Sequence, residues 1–437
     1  MRFGRPCAHW TAPTLAVAGR ARDDVVTIPD WLVALVAAFA CVGPVAVILA
    51  WGLIGHRVRR TVRVIPTLRF GQTLAAADPP AGRVCVVVPA YNEARVIGGL
   101  VASLRAETYK EARFVLALDR CTDDTARLAR AAIGGDERFE VIEIDGCPNE
   151  WAGKVHAVHA GVTRSRGAAD AEFLLFADAD TLFSPGCIAS ALALMRERKL
   201  DLLSLLSTLT HDAWFERVVQ TAAALELMRH FPLTRVNGVD GRRRAFANGQ
   251  FMLFRRAAYE AIGGHEAVKD ALLEDLALAR RVDDGTRRLG VFMADGLFHC
   301  RMYADWPQFR RGWKRIYTEA ASRRAKRLAA WSKGSRWLGT FLPLWTLAAL
   351  PLGALIVARD AARGWTVIGL AVVALVVWLA ALGRITTLAR APWWTAPLHF
   401  FGAWLTADLM AEAARDLRTR TPTQWGGREY DLRADKA

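Results

Sequence analysis

No CxxC pair occurs among the seven cysteines of this 437-residue chain; Cys7, Cys41, Cys85, Cys121, Cys147, Cys187 and Cys300 are scattered along it. An odd, dispersed set argues against a zinc site and suits a reducing compartment. No GxGxxG follows the first strand-like run, which continues into "PAYNEA" instead. That excludes a dinucleotide-dependent oxidoreductase, although the α/β alternation would allow one. The chain has no internal repeat and no low-complexity linker. Its basic residues are not interleaved with aromatics along a groove, so a nucleic-acid partner is not expected. Charge is missing altogether from Trp31 to Gly55, from Trp337 to Ala358 and from Trp365 to Gly383.

These charge-free runs account for a hydrophobic content of 53%. A bilayer crossing needs roughly 20 predominantly apolar residues, so all three runs suffice. Tryptophans at their edges suit the membrane interface. The first run is too long, and too far from Met1, for a cleaved signal peptide. Arg57, Arg59, Arg60, Arg63 and Arg69 follow the first run, and Arg310 to Arg327 approach the second. The positive-inside rule therefore predicts an integral protein of the cytoplasmic membrane with the intervening segment in the cytoplasm. Much of the +15 net charge sits in these flanks, which favours anionic headgroups as neighbours. The stretch 391–410 is short, carries His399 and runs into Asp408, so a re-entrant or interfacial course is expected rather than a fourth span. The resulting organisation is an N-terminal segment 1–30, a span 31–55, a basic linker 56–82, a soluble domain 83–330, spans 337–358 and 365–388, the segment 391–410 and a basic tail 411–437.

Within the soluble segment short apolar runs alternate with amphipathic ones. "VCVVVPAYNE" opens with a β-branched run, after which Asn92 can cap a helix carrying Val96, Ile97, Leu100, Val101 and Leu104 on one face. "FVLALDRCTDDTARLARAA" repeats the scheme, with a cap expected near Thr122, and "FEVIEID" and "EFLLFADAD" read as further strands. This alternation predicts an α/β sheet with largely parallel strands. Such sheets bind ligands beyond the carboxyl ends of their strands. Tyr91-Asn92-Glu93, Asp119-Arg120 and Asp178-Ala179-Asp180 all fall there. Leu205 to Arg235 reads as a helix-prone apolar stretch, either core or resting on the inner leaflet.

A carboxylate directly after an apolar strand is costly unless something compensates it. A strand-end Asp is most often a turn residue, and Glu274-Asp275 in "ALLEDLALARR" alone would read as a solvated helix face. Together they match what a nucleotide-sugar site requires. A divalent cation on a diphosphate prefers oxygen ligands and needs only one or two carboxylates. An attacking hydroxyl needs a general base within hydrogen-bond reach.

The blocks "VVVPAYNEARVI", "ALDRCTDDTA", "WAGKVHAVHAG", "FADADTLFSPG", "NGQFMLFRRAAYEAIGG", "LLEDLALARRV" and "QFRRGW" occur in that order from Val86 to Trp313. In this series the chain resembles the membrane-bound family 2 glycosyltransferases. The tail's "TQWGGREY" resembles the ending of the lipid-directed members, and "AGKVHA" and "LLEDLALA" look like blocks of carotenoid- and hopanoid-associated transferases. The resemblance implies a GT-A fold, Mg²⁺ or Mn²⁺, a nucleotide-sugar donor such as a UDP-sugar, and a lipid or isoprenoid acceptor. It implies that Pro89, Ala90, Tyr91 and Glu93 line the nucleotide pocket and that Asp119 contacts the base. Lys154 would lie near the diphosphate, Asp178 would face the ribose and Asp180 the metal. Asp275 matches the general base, and Arg310, Arg311 and Trp313 the block near the diphosphate and acceptor. Processive synthases carry Gln-x-x-Arg-Trp, whereas Gly312 here separates Arg311 from Trp313, which puts polysaccharide synthesis in doubt. A catalytically silent nucleotide-sugar binder is the reading from a different class.

Overall fold

The structure, a computed structural model, describes residues 29–421 except 242, 284 and 285, and the backbone of 423–425 and 428–430. The segment up to residue 28 and the side chains of the tail motif lie outside the described residues. The apolar, β-branched run Val84–Ala90 forms the first strand, β1. The strands that follow are β2 (Ala112–Asp119), β3 (Phe139–Ile144), β4 (Phe173–Ala177), β5 (Thr181–Phe183), β6 (Leu202–Leu206), β7 (Thr208–Leu209), β8 (Phe251–Arg255), β9 (Leu289–Met293) and β10 (Phe298–Cys300).

Seven of them make one sheet in the order β3-β2-β1-β4-β8-β6-β9. Its pairs are parallel except that β8 runs against both β4 and β6. Because β1, β2 and β4 are parallel neighbours, their carboxyl ends share one edge, as the alternation of runs predicts. A small sheet β5-β10-β7 closes the far side of that edge. Helices cover both faces, which is why the central strands read as continuous apolar runs rather than alternating ones. The fold is the GT-A α/β architecture with a mostly parallel central sheet.

Among the described residues three helices are long and apolar enough to cross a membrane: Asp30–Val64, Ala325–Val357 and Ala361–Leu388. Trp51 joins them, with its indole N–H donating to the Leu338 carbonyl at 3.1 Å and its ring edge-on to Trp378. Residues 337–341 are π-helical immediately before Pro343, which has no N–H to offer Gly339. The stretch at 391–410 differs from these helices. It is a 3₁₀ turn, Trp393–Leu398, leading into a helix, His399–Thr419, whose Leu409, Met410 and Ala413 belong to the core of the α/β domain.

Two local expectations are corrected. Asn92 does not cap the helix Ile97–Arg105; in a left-handed conformation (φ 54°) it ties the β1 and β2 loops together. Near Thr122, at the start of the helix Thr125–Ile133, the Asp123 carboxylate accepts from the Thr125 N–H at 3.0 Å. Leu205–Arg235 is likewise not one helix: it starts in β6 and β7, then a π-helical turn, Glu216–Gln220, passes into the helix Thr221–His230.

Candidate active site

Pro89 and Ala90 end β1 beside Ala117 and Leu118 of β2. Beyond them the Asn92 carboxamide oxygen accepts from the Thr122 N–H at 2.8 Å, and the Glu93 N–H donates to the Thr125 hydroxyl at 2.7 Å. The first two strand-end loops are thereby locked to each other. Asp119 closes β2 and is buried under Arg120, whose guanidinium grips both its oxygens, at 2.9 and 2.6 Å. Arg120 also lies 5.4 Å from the centre of the Tyr91 ring. The group presented at this end of the edge is therefore an arginine backed by Asp119, a partner the sequence motif alone does not disclose.

Asp178 and Asp180 leave β4 at the middle of the same edge. Burial, reinforced by Asp178 and Glu93, holds the Asp180 carboxyl well above its ordinary range. Burial, with Asp178 and Asp123 adding to it, pushes Glu93 up to about 7. Asp180 Oδ1 is buried with no hydrogen-bond partner. An orphaned carboxylate oxygen amid mutually repelling acids is what a hard divalent cation would satisfy. Among the described residues no set of three His, Cys, Asp or Glu side chains encloses a metal. Asp180 would hold a cation whose other ligands come from water and phosphate, as Mg²⁺ commonly does.

Lys154, at the start of the helix Gly153–Arg164, lies 2.6 Å from Asp178 Oδ1 and 2.7 Å from Glu274 Oε1. Burial alone would depress the ammonium, but its two carboxylates outweigh that and raise it. Glu274 and Asp275 open the helix Glu274–Val282. Asp275 accepts from the Gly249 N–H at 2.8 Å and from the Leu276 N–H at 2.6 Å. Burial and the adjacent Glu274 nonetheless push it up to about 6. Gly249 suits this close approach: a Cβ there would stand 3.2 Å from both Asp275 Oδ2 and Glu274 Oε1, a tight contact.

These residues open onto a cavity of about 490 Å³. Lys154, Asp178, Glu274 and Asp275 line one part of it. Leu225 and Met228 of the helix Thr221–His230 line another, with Ile54 and Val58 of the first long helix and Ile385 and Leu388 of the third. Acidic groups and the ends of two apolar helices thus share one space. Trp313 lines it, as the motif implies. Arg310 and Arg311 do not: Arg310 pairs with Glu412 at 2.5 Å and Arg311 is exposed. The helix Trp306–Ala320 turns both away and brings Arg315 to the cavity, where its charge favours ionised Asp178. The second basic pair in "RRGWKR" is the only sequence trace of this.

Strand-end acids around a half-buried lysine, on a GT-A sheet, fit a glycosyltransferase. Residues 85–263 match the sequence model of Glycosyl transferase family 2, so this segment is a family 2 glycosyltransferase domain. The chain is 27% identical over 256 residues to the 4,4'-diaponeurosporenoate glycosyltransferase of Staphylococcus aureus strain MRSA252. It is 27% identical over 260 residues to the same enzyme of strain USA300. Each match takes in 57% of this chain and 66% of the relative, slightly under two thirds of its length. A mannosyltransferase of Pyrobaculum calidifontis, solved with GDP-Man and Mn²⁺, aligns with a TM-score of 0.45 and 19% identity over 88% of this chain and 99% of its own. Staphylococcus aureus TarS, solved with UDP-GlcNAc, aligns with a TM-score of 0.38 and 14% identity over 81% and 97% of the two chains.

Proposed function

We propose that this enzyme transfers a sugar, with inversion, from a nucleotide-diphosphate sugar to a hydroxyl of a membrane-associated lipid or isoprenoid. The carrying observation is the shared cavity, in which the Asp275 carboxylate and the apolar ends of two long helices face the same space. A soluble acceptor would have no use for Leu225, Met228, Ile385 and Leu388 there. The similarity to an enzyme named for a diaponeurosporenoate acceptor supports the same class.

In this reading the donor lies along the strand-end edge. Tyr91 and the Arg120–Asp119 pair meet the base, Glu93 and Asp178 flank the ribose, and Lys154 meets the diphosphate. A divalent cation at Asp180 would neutralise charge on the departing nucleoside diphosphate. Asp275, held by two backbone N–H groups, takes the proton of the acceptor hydroxyl. The hydroxyl oxygen then attacks the anomeric carbon from the side opposite the diphosphate, so no covalent sugar–enzyme species forms. Arg315 and Trp313 border the acceptor. The arginine-rich flanks of the long helices support a cytoplasmic catalytic domain, where nucleotide sugars are available.

The test is to incubate membranes containing the protein with labelled UDP- and GDP-sugars and extract the lipids. Label should enter the organic phase with wild type and not with Asp275→Asn. Label found instead in a water-soluble or insoluble polymer would make the protein a polysaccharide synthase, and no turnover of any donor would make it a binder.

A further inference from the structure

Glu274 takes no proton and meets no substrate in the reaction proposed above, yet it is only 4% exposed and pairs with Lys154. Asp178 alone would neutralise the ammonium. Adding Glu274 leaves the three groups with net charge −1, in a region that already holds Asp180, Glu93 and Asp275. A further buried carboxylate is expensive and has to be compensated. Burial alone would raise the Glu274 carboxyl, but Lys154 outweighs that and holds it below its ordinary range, so Glu274 stands ionised beside the ammonium.

Geometry gives it a use. A lysine ammonium is a point charge on a flexible four-carbon stem, and one partner leaves it free to swing. Two partners, Asp178 from the β4 end at 2.6 Å and Glu274 from the start of a helix at 2.7 Å, fix Nζ in the cavity wall. Glu274 is itself held in place, because Gly249 backs it and Asp275 is anchored to the Gly249 N–H beside it. We propose that Glu274 is a positioning residue that acts through Lys154. It holds the ammonium where the donor's diphosphate arrives, so that the phosphate meets a cation already aimed at it. This rests on the nucleotide-sugar reading and deepens it, since it assigns diphosphate recognition to a Glu–Lys unit built across the wall between donor edge and acceptor cavity.

The experiment is equilibrium binding of UDP and of GDP, each with Mg²⁺, to the full-length protein in nanodiscs. Glu274→Gln should weaken binding of the preferred nucleotide by about tenfold or more and raise the donor KM while leaving the acceptor KM in place. Glu274→Asp, one methylene short, should lose less. In a Lys154→Met background Glu274→Gln should add almost nothing, because groups acting as one unit are not additive. Should Glu274→Gln fail to fold, Glu274→Asp decides the same question: its loss must disappear in the Lys154→Met background. Wild-type-like nucleotide affinity in Glu274→Gln, or a loss that adds fully to that of Lys154→Met, overturns the proposal. A wild-type protein that binds neither nucleotide overturns the donor reading and this one with it.

Discussion

Asp275 and Glu274 are adjacent in sequence and similar in type, yet they make different contacts. Residue type alone makes the pair a solvated helix face, because it does not say which side of a helix is buried. The structure buries Glu274 and turns it to Lys154, and stations Asp275 at the Gly249 backbone. As general base Asp275 should contribute roughly 10²–10⁴-fold. Asp275→Asn should therefore cut single-turnover transfer by that factor, about 3–5 kcal/mol at about 1.36 kcal/mol per decade, with nucleotide affinity preserved. A general base works only when ionised, and the Asp275 carboxyl is raised to about 6. Transfer should thus be level above that pH and fall as pH drops through it, approaching tenfold per unit; a pH–rate profile flat down to pH 4 would remove Asp275 from the role. At Asp180, Asp180→Asn or excess EDTA should each abolish transfer with the melting temperature little changed, and full turnover in chelator would count against the cation.

Elements were legible to different degrees, and for a physical reason. β1, β2 and β4 announce themselves as apolar runs that stop at a polar residue, since a strand buried on both faces cannot carry a charge until it reaches the edge. β8 gives no hint that it is reversed, because "FMLFR" is equally apolar in either direction and direction is set by its distant partners β4 and β6. The arginine block was illegible for a similar reason: Arg310 and Arg315 lie on one helix, and only the presence of Glu412 on a neighbouring helix decides which of them leaves the cavity. That neighbour, the helix His399–Thr419, docks through Gly402. A Cβ at Gly402 would stand 2.1 Å from the Val218 carbonyl oxygen, and backbone cannot yield as a flexible side chain can. Gly402→Val should cost about 1–3 kcal/mol as overpacking. It should also lower transfer, because Val218 leads directly into the helix that lines the cavity; an unchanged melting temperature would show that the two helices are not locked there.

At the scale of the whole molecule, the three apolar helices were readable from missing charge alone, whereas the cavity was not, since it is assembled from residues as far apart as Ile54 and Ala389. The topology can be checked directly: a reporter inserted near Gly134, on a surface loop of the α/β domain, should be active only in the cytoplasm. The helix ends in the cavity wall have a kinetic consequence. If Ile54, Val58, Ile385 and Leu388 meet the acceptor at the level of the bilayer, its tail need never leave the hydrocarbon, and the cost of extraction, about 0.8 kcal/mol per CH₂, is never incurred. The enzyme then samples a two-dimensional solution. Its saturation should follow the mole fraction of acceptor among the surrounding lipids, so that adding inert phospholipid at fixed bulk acceptor slows the reaction by surface dilution, while lengthening the acceptor's tail leaves the rate as it was.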